Sequence, residues 1–210
     1  MGTDWGLGWN IEYNVLSDSK SVCLVSGECN PSGSSGIAQV GNHHIANNTI
    51  SRCGEAGIAG SRGLVASVIE GNLIQDINLA QQFGGWEGGA IHNAIDVVIE
   101  GDVIRQVHSG TGVGWVNGIW LDWQSQGSRI TGNVIYQVDQ PLFQFEADHG
   151  RTLVDNNVLA GDVRDISEWS IFERRDDHLI STLRRYVTAL GGELEVVDVF
   201  DNKRIALKGI

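Results

Sequence analysis

A six-residue pattern recurs along most of this chain: apolar, any residue, Gly or Asn, Asn or Asp, any residue, apolar. It reads Ile45-Ala46-Asn47-Asn48-Thr49-Ile50, Ile69-Glu70-Gly71-Asn72-Leu73-Ile74 and Ile99-Glu100-Gly101-Asp102-Val103-Ile104. It returns as Ile130-Thr131-Gly132-Asn133-Val134-Ile135 and Val154-Asp155-Asn156-Asn157-Val158-Leu159, with a weaker copy at Ile11-Glu12-Tyr13-Asn14-Val15-Leu16. The second polar position falls at residues 14, 48, 72, 102, 133 and 157, with gaps of 34, 24, 30, 31 and 24. A period in this range belongs to stacked units that bury their apolar faces only against their neighbours. The apolar runs are too short for helices and suit strands whose alternate side chains enter the stack. The Gly-Asn or Asn-Asn pair supplies a residue that tolerates a left-handed turn. Stacked on successive coils, the Asn side chains are expected to form a hydrogen-bonded amide ladder. A leucine-rich horseshoe requires leucine at fixed offsets, which is missing. A doubly wound α/β fold requires helical periods where Gly84-Gly85-Trp86-Glu87-Gly88-Gly89 stands. The expectation is an all-β, right-handed, single-stranded parallel β-helix of about six coils over residues 1–162.

Composition agrees: 28 glycines, two prolines and 19% charged residues suit a turn-rich β protein. The net charge of −12 argues against nucleic acid and anionic membrane surfaces as partners and favours a neutral one, such as an oligosaccharide. No apolar run reaches the roughly 18 residues of a membrane span. Met1 is followed by Gly-Thr-Asp-Trp, which is not a secretory signal, so a cytoplasmic location is expected if this start is the natural one. Cys23, Cys29 and Cys53 show no metal-type spacing. They read as buried or incidental thiols, with a Cys23–Cys29 bridge as the alternative.

The repeat also places acidic residues. Asp122 lies 11 residues before Asn133, and Glu146 lies 11 before Asn157, which puts both at one lateral position on adjacent coils. Neighbouring strands are about 4.8 Å apart, so two outward carboxyl groups there are expected roughly 5 Å apart. That suits a retaining glycosidase, which needs about 5–5.5 Å, better than an inverting one, which needs about 6.5–9.5 Å. Charges that close repel, which prepares one carboxyl to act as an acid. Trp86, Glu87, His92, Asn93, Trp120 and His149 flank the pair and are the candidate substrate-binding residues. Indoles pack on the C–H faces of sugar rings, as a glycan cleft requires. Along Gly118-Ile119-Trp120-Leu121-Asp122-Trp123, alternation turns Trp120 and Asp122 outward and Ile119, Leu121 and Trp123 inward. Asp139 reads as a turn residue, and His149 and Asp148 read equally well as loop residues.

Gly118-Ile119-Trp120-Leu121-Asp122-Trp123-Gln124, followed by Phe145-Glu146-x-x-His149-Gly150 and Leu153-Val154-Asp155-Asn156-Asn157, resembles bacterial right-handed β-helix glycosidases, in particular glycoside hydrolase family 120. Members of that family are retaining β-xylosidases. The resemblance implies Asp122 as nucleophile and Glu146 as acid/base, acting on plant-wall oligosaccharides with no metal and no cofactor. Glu87-Gly88-Gly89-Ala90-Ile91-His92-Asn93-Ala94-Ile95-Asp96 resembles the coil that shapes the same cleft. Family members are several hundred residues long, with additional N-terminal coils. A truncated, non-catalytic carbohydrate-binding β-helix is therefore one alternative. A polysaccharide lyase, which would need calcium and a basic residue beside the acids, is another.

Character changes near Val163. Residues 1–163 carry a net charge of −11 and 25 glycines, whereas residues 164–210 carry −1 and three. Residues 163–210 are expected to form a small appendage. Leu179, Ile180, Leu183, Tyr186, Val187 and Leu190 make a helical apolar stripe closed by Gly191-Gly192. Glu193 to Phe200 and Arg204 to Leu207 read as a hairpin. This tail resembles the end of XRE-type helix-turn-helix antitoxin regulators, but β-helix sequence stands where the DNA-reading helices would precede it.

Overall fold

The computed structural model describes residues 1–3, 6–26, 41–60, 64–85, 88–92, 95–110, 115–122, 125–146 and 150–160, and the backbone of 166–169, 197–200 and 203–206. The chain divides into two compact units, Met1–Ile171 and Phe172–Ile210.

The first unit climbs in coils of three short strands. The first coil holds β1 (Asn10–Glu12), β2 (Val15–Ser19) and β3 (Leu24–Val25), and the second β4 (His44–Ala46), β5 (Thr49–Cys53) and β6 (Ala56–Ala59). The third holds β7 (Val68–Glu70), β8 (Leu73–Ile77) and β9 (Gly88–His92), and the fourth β10 (Val98–Glu100), β11 (Val103–Val107) and β12 (Val116–Leu121). The fifth holds β13 (Arg129–Thr131), β14 (Val134–Val138) and β15 (Phe143–Glu146), and the sixth β16 (Leu153–Asp155), β17 (Val158–Ala160) and β18 (Ile166–Trp169). Like strands of successive coils pair in parallel, which makes three six-stranded sheets. This is a right-handed parallel β-helix. In the second unit, β19 (Val197–Phe200) pairs antiparallel with β20 (Lys203–Ala206), and Lys203 belongs to a strand. The apolar stripe from Leu179 to Leu190 lies outside the described residues.

Each sheet sends one apolar column inward. In the first sheet, Ile11, Ile45, Ile69, Ile99, Ile130 and Val154 are successive Cα partners. In the second, Leu16, Ile50, Ile74, Ile104, Ile135 and Leu159 are stacked in the same way. The third stacks Leu24, Ile58, Ile91, Ile119 and Phe143. β-Branched residues dominate because their stiff side chains fit a pleated, half-buried surface.

The corner between the first and second sheets is built by the repeated polar pair. Its first member is left-handed in every coil: Tyr13, Asn47, Gly71, Gly101, Gly132 and Asn156 have φ between 56° and 67°. Its second member forms the ladder. Asn48 Oδ1 accepts from Asn14 N (2.9 Å) and Asn14 Nδ2 (3.1 Å), and Asn72 Oδ1 accepts from Asn48 N (2.9 Å) and Asn48 Nδ2 (3.0 Å). Each amide also reaches back to a carbonyl of the coil before: Asn48 Nδ2 donates to Ile11 O (2.8 Å), Asn72 Nδ2 to Ile45 O (2.9 Å) and Asn133 Nδ2 to Ile99 O (3.0 Å). The ladder thus satisfies backbone groups that the corner takes out of sheet pairing.

The cysteines depart from expectation. Cys23 and Cys53 are joined in a disulfide with Cα atoms 5.5 Å apart, and both residues are buried. Stacking explains the pairing. Cys53 ends β5, and the turn carrying Cys23 lies against the next coil through a Cys23 N–H bond to Ala56 O. The partners are 30 residues apart in sequence and neighbours in space.

Two outcomes follow. Asn72→Ala removes four ladder bonds from a fully buried site and is expected to cost about 3 kcal/mol in urea unfolding, against less than about 1 kcal/mol for Asn14→Ala at the half-buried end. Equal losses at both positions would show that the ladder is not cooperative with burial. Closing a loop of this length should contribute about 3–4 kcal/mol, so Cys23→Ala/Cys53→Ala should lower the melting temperature under oxidising conditions and abolish its sensitivity to reductant.

Candidate functional site

The third sheet positions the candidate residues. Ala59, His92, Trp120 and Gln144 are successive Cα partners along β6, β9, β12 and β15. They alternate with Ile91, Ile119, Leu121, Phe143 and Phe145, which belong to the core cluster. His92, Trp120 and Gln144 therefore stack on the face turned away from that core. Leu121 and Phe145 are Cα partners; Asp122 is the first residue after β12, and Glu146 is the last residue of β15. The carboxylates thus follow in step on adjacent coils, with the parity of Trp120 and Gln144.

Burial differs between the two acids. Asp122 is only 3% exposed, whereas Glu146 is half-buried. His92 Nε2 stands 3.9 Å from Asp122 Oδ2, beyond hydrogen-bond reach. The pair meets a distance criterion for an ion pair, yet burial holds the His92 imidazole down to a pKa of about 4. We read His92 as neutral near pH 7, because desolvation of a ring only 5% exposed outweighs one contact of that length. The imidazole also lies against Trp120, with ring centroids 5.0 Å apart and tilted by 57°. Trp115 continues the aromatic surface, 6.4 Å from Trp120. Trp120 itself is almost fully buried, at 2% exposure.

A row of polar atoms runs across these three rungs. His92 Nε2, Trp120 Nε1 and both amide atoms of Gln144 are buried and have no hydrogen-bond partner. Each such group costs about 1–3 kcal/mol unless something satisfies it. Together they offer an indole donor, a ring nitrogen and an amide able to donate and accept at once. Gln144 and Trp115 were not among the residues expected from the sequence. Gln144 was legible in principle, because it lies 13 residues before Asn157, as Trp120 lies 13 before Asn133. Trp86, Glu87, Asn93 and His149 lie outside the described residues, so His92 and Trp120 are the expected flanking residues that the structure describes beside Asp122. Among the described residues no group of three or more His, Cys, Asp or Glu could hold a metal ion, and no helix is long and apolar enough to cross a membrane.

Stacked coils of this geometry define a solenoid class, and residues 2–163 match the model of the right-handed β-helix region. The chain belongs to this family. Among solved structures it is similar to XylC in complex with xylose, at 30% identity and a TM-score of 0.68. That likeness covers 80% of this chain and 29% of XylC, so the chain spans less than a third of that protein's length. No curated protein matches it. The family match ends at residue 163, and nothing in these comparisons supports the resemblance of the tail to helix-turn-helix regulators.

Because the folded His92 ring refuses a proton that the unfolded chain accepts near pH 6.5, its contribution to stability is present above that pH. It is lost as pH falls from about 6.5 to about 4. The ratio of folding constants, wild type over His92→Gln, is expected to fall by up to tenfold per pH unit across that window. A ratio independent of pH would show that the imidazole is not held neutral.

Proposed function

We propose that this β-helix is a carbohydrate-active module of the retaining glycoside hydrolase type, acting on β-xylosides or related plant-wall oligosaccharides. The observation that supports this reading is that Leu121 and Phe145, the residues just before Asp122 and Glu146, are Cα partners on β12 and β15. A rung step of about 4.8 Å is close to the 5–5.5 Å that a double-displacement mechanism requires. The likeness to a protein solved with xylose supports a pentose as the bound sugar.

In this mechanism Asp122 attacks the anomeric carbon while Glu146 protonates the departing glycosidic oxygen. Glu146 then removes a proton from the water that releases the sugar from Asp122. The half-buried position of Glu146 suits exchange of its proton with incoming water. Neutral His92 beside Asp122 adds no competing positive charge. The reaction calls for neither a metal nor an organic cofactor.

A non-catalytic glycan-binding role is the second reading. It is favoured by the near-complete burial of Asp122.

The test is hydrolysis of an aryl β-xyloside by the wild-type chain, with the anomer of the first product followed by NMR. Retention of configuration is expected, with Asp122→Asn and Glu146→Gln each losing at least about a thousandfold in kcat/KM. Inversion, or full activity in either variant, would overturn the mechanism. Saturable binding of xylo-oligosaccharide without turnover would establish the second reading instead.

A further inference from the structure

The amide ladder is interrupted once by an acid. At the equivalent corner of the fourth coil stands Asp102, with 0% of its surface exposed. Its Oδ1 does what the asparagine carbonyls do elsewhere, accepting from Asn72 N (2.6 Å) and Asn72 Nδ2 (2.9 Å). The difference lies at the second atom. In Asn48, Asn72 and Asn133 that atom is Nδ2, and it donates both to an isoleucine carbonyl of the coil before and to the next Oδ1 of the ladder. In Asp102 it is Oδ2, which is buried without a partner. By the repeat, the groups it meets are the Ile69 carbonyl and Asn133 Oδ1, both acceptors. Rotating the Asn133 amide cannot relieve this. Its Oδ1 is held by Asp102 N (2.8 Å), and its Nδ2 by Ile99 O (3.0 Å) and Asn157 Oδ1 (2.9 Å).

We propose that Asp102 is folded as a neutral carboxylic acid whose proton, on Oδ2, completes the ladder towards Ile69 O or Asn133 Oδ1, so that the central rung is a latch closed by a proton. Protonation turns the acid into a stand-in for asparagine, and its loss leaves oxygens facing one another in a dry corner. This inference does not rest on the glycosidase reading.

The electrostatic surroundings agree. Burial pushes the Asp102 carboxyl up to about 7, against the two bonds from Asn72 that pull it down, and the negative charge of Glu70 on β7 adds to the rise. The other charged or titratable side chains on the packed strands are Glu100 on β10, Asp76 on β8, Arg105 on β11, Arg129 on β13 and Tyr136 on β14, and beyond them His44 on β4 is bonded to Glu70 (2.9 Å). Arg105 is committed to Gln75 and Tyr136, and Arg129 to Asp155, so neither cation is available to Asp102 as a counter-charge. A carboxyl raised by folding gives stability that is complete below its ordinary value of 3.8 and is lost as pH rises to about 7.

His92 acts in the opposite sense over part of this range, so the informative quantity is the ratio of folding constants for Asp102→Asn over wild type, from urea unfolding between pH 4 and 8. The ratio is expected to rise by up to tenfold per pH unit between about 4 and 7, with the variant at least tenfold more stable at pH 8. A ratio that does not change with pH, or a variant less stable than wild type at pH 8, would overturn the latch. Infrared spectra at pH 5.5 give a second readout. A carbonyl band of a protonated carboxylic acid should be present in the wild type and missing from Asp102→Asn, and its absence from the wild type would likewise overturn the latch.

Discussion

The amide ladder at the first corner is the constraint on which the rest of the molecule depends. A three-residue strand cannot hold its own register, and sliding by one residue would turn its apolar side chain to solvent. One Asn or Asp per coil, bonded to the residue at the same corner of the next coil, prevents that slip for the whole coil at once. Because each side-chain amide binds both a backbone N–H and a backbone carbonyl, it fixes height and azimuth together. The isoleucine columns of the first and second sheets lie within a few residues of the ladder, which is why they stack without interruption. The third sheet is further along each coil, and there the register is carried by its own pairing and by the close packing of Ile91, Ile119 and Phe143.

This division explains which parts of the structure were legible in the amino-acid sequence. The corner motif is local, so six copies of it revealed the coil number, the ladder and the left-handed position. Equal offsets from Asn133 and Asn157 also carried the register across to Leu121 and Phe145, and from there to the two acids. Depth was not legible in this way. Alternation tells which side of a strand a residue takes, but not what covers that side, and Trp120, Gln144 and Asp122 are all at or below 3% exposure. The disulfide was hidden for a related reason. It joins a turn to a strand end, two places where the repeat carries no anchor, so spacing pointed to unpaired thiols or a Cys23–Cys29 bridge and not to Cys23–Cys53.

The same architecture accounts for the tolerance of buried polar groups on the third sheet. In a globular core an unsatisfied amide can move until it finds a partner or water. On a solenoid face, each residue is held by backbone pairing to the residues one rung before and one rung after it. Gln144 is held between the Trp120 rung and β18 in this way, with both ends of its amide unpaired. Such a row is costly for stability, because each buried polar atom has given up water without gaining a partner.

Position along the stack then decides what any substitution does. Interior coils have a bonded neighbour on both sides, so a change at Asn72 or Asp102 disturbs two ladder steps and two column contacts. Within the described residues the inward column of the second sheet is less covered towards its end: Leu159 is 37% exposed, whereas its Cα partner Ile135 is fully buried. A residue type that is stabilising in the middle is therefore nearly neutral at either end, for the same chemistry and the same local conformation. The candidate carboxylates belong to the fourth and fifth coils, and the third-sheet strand of each is paired on both sides.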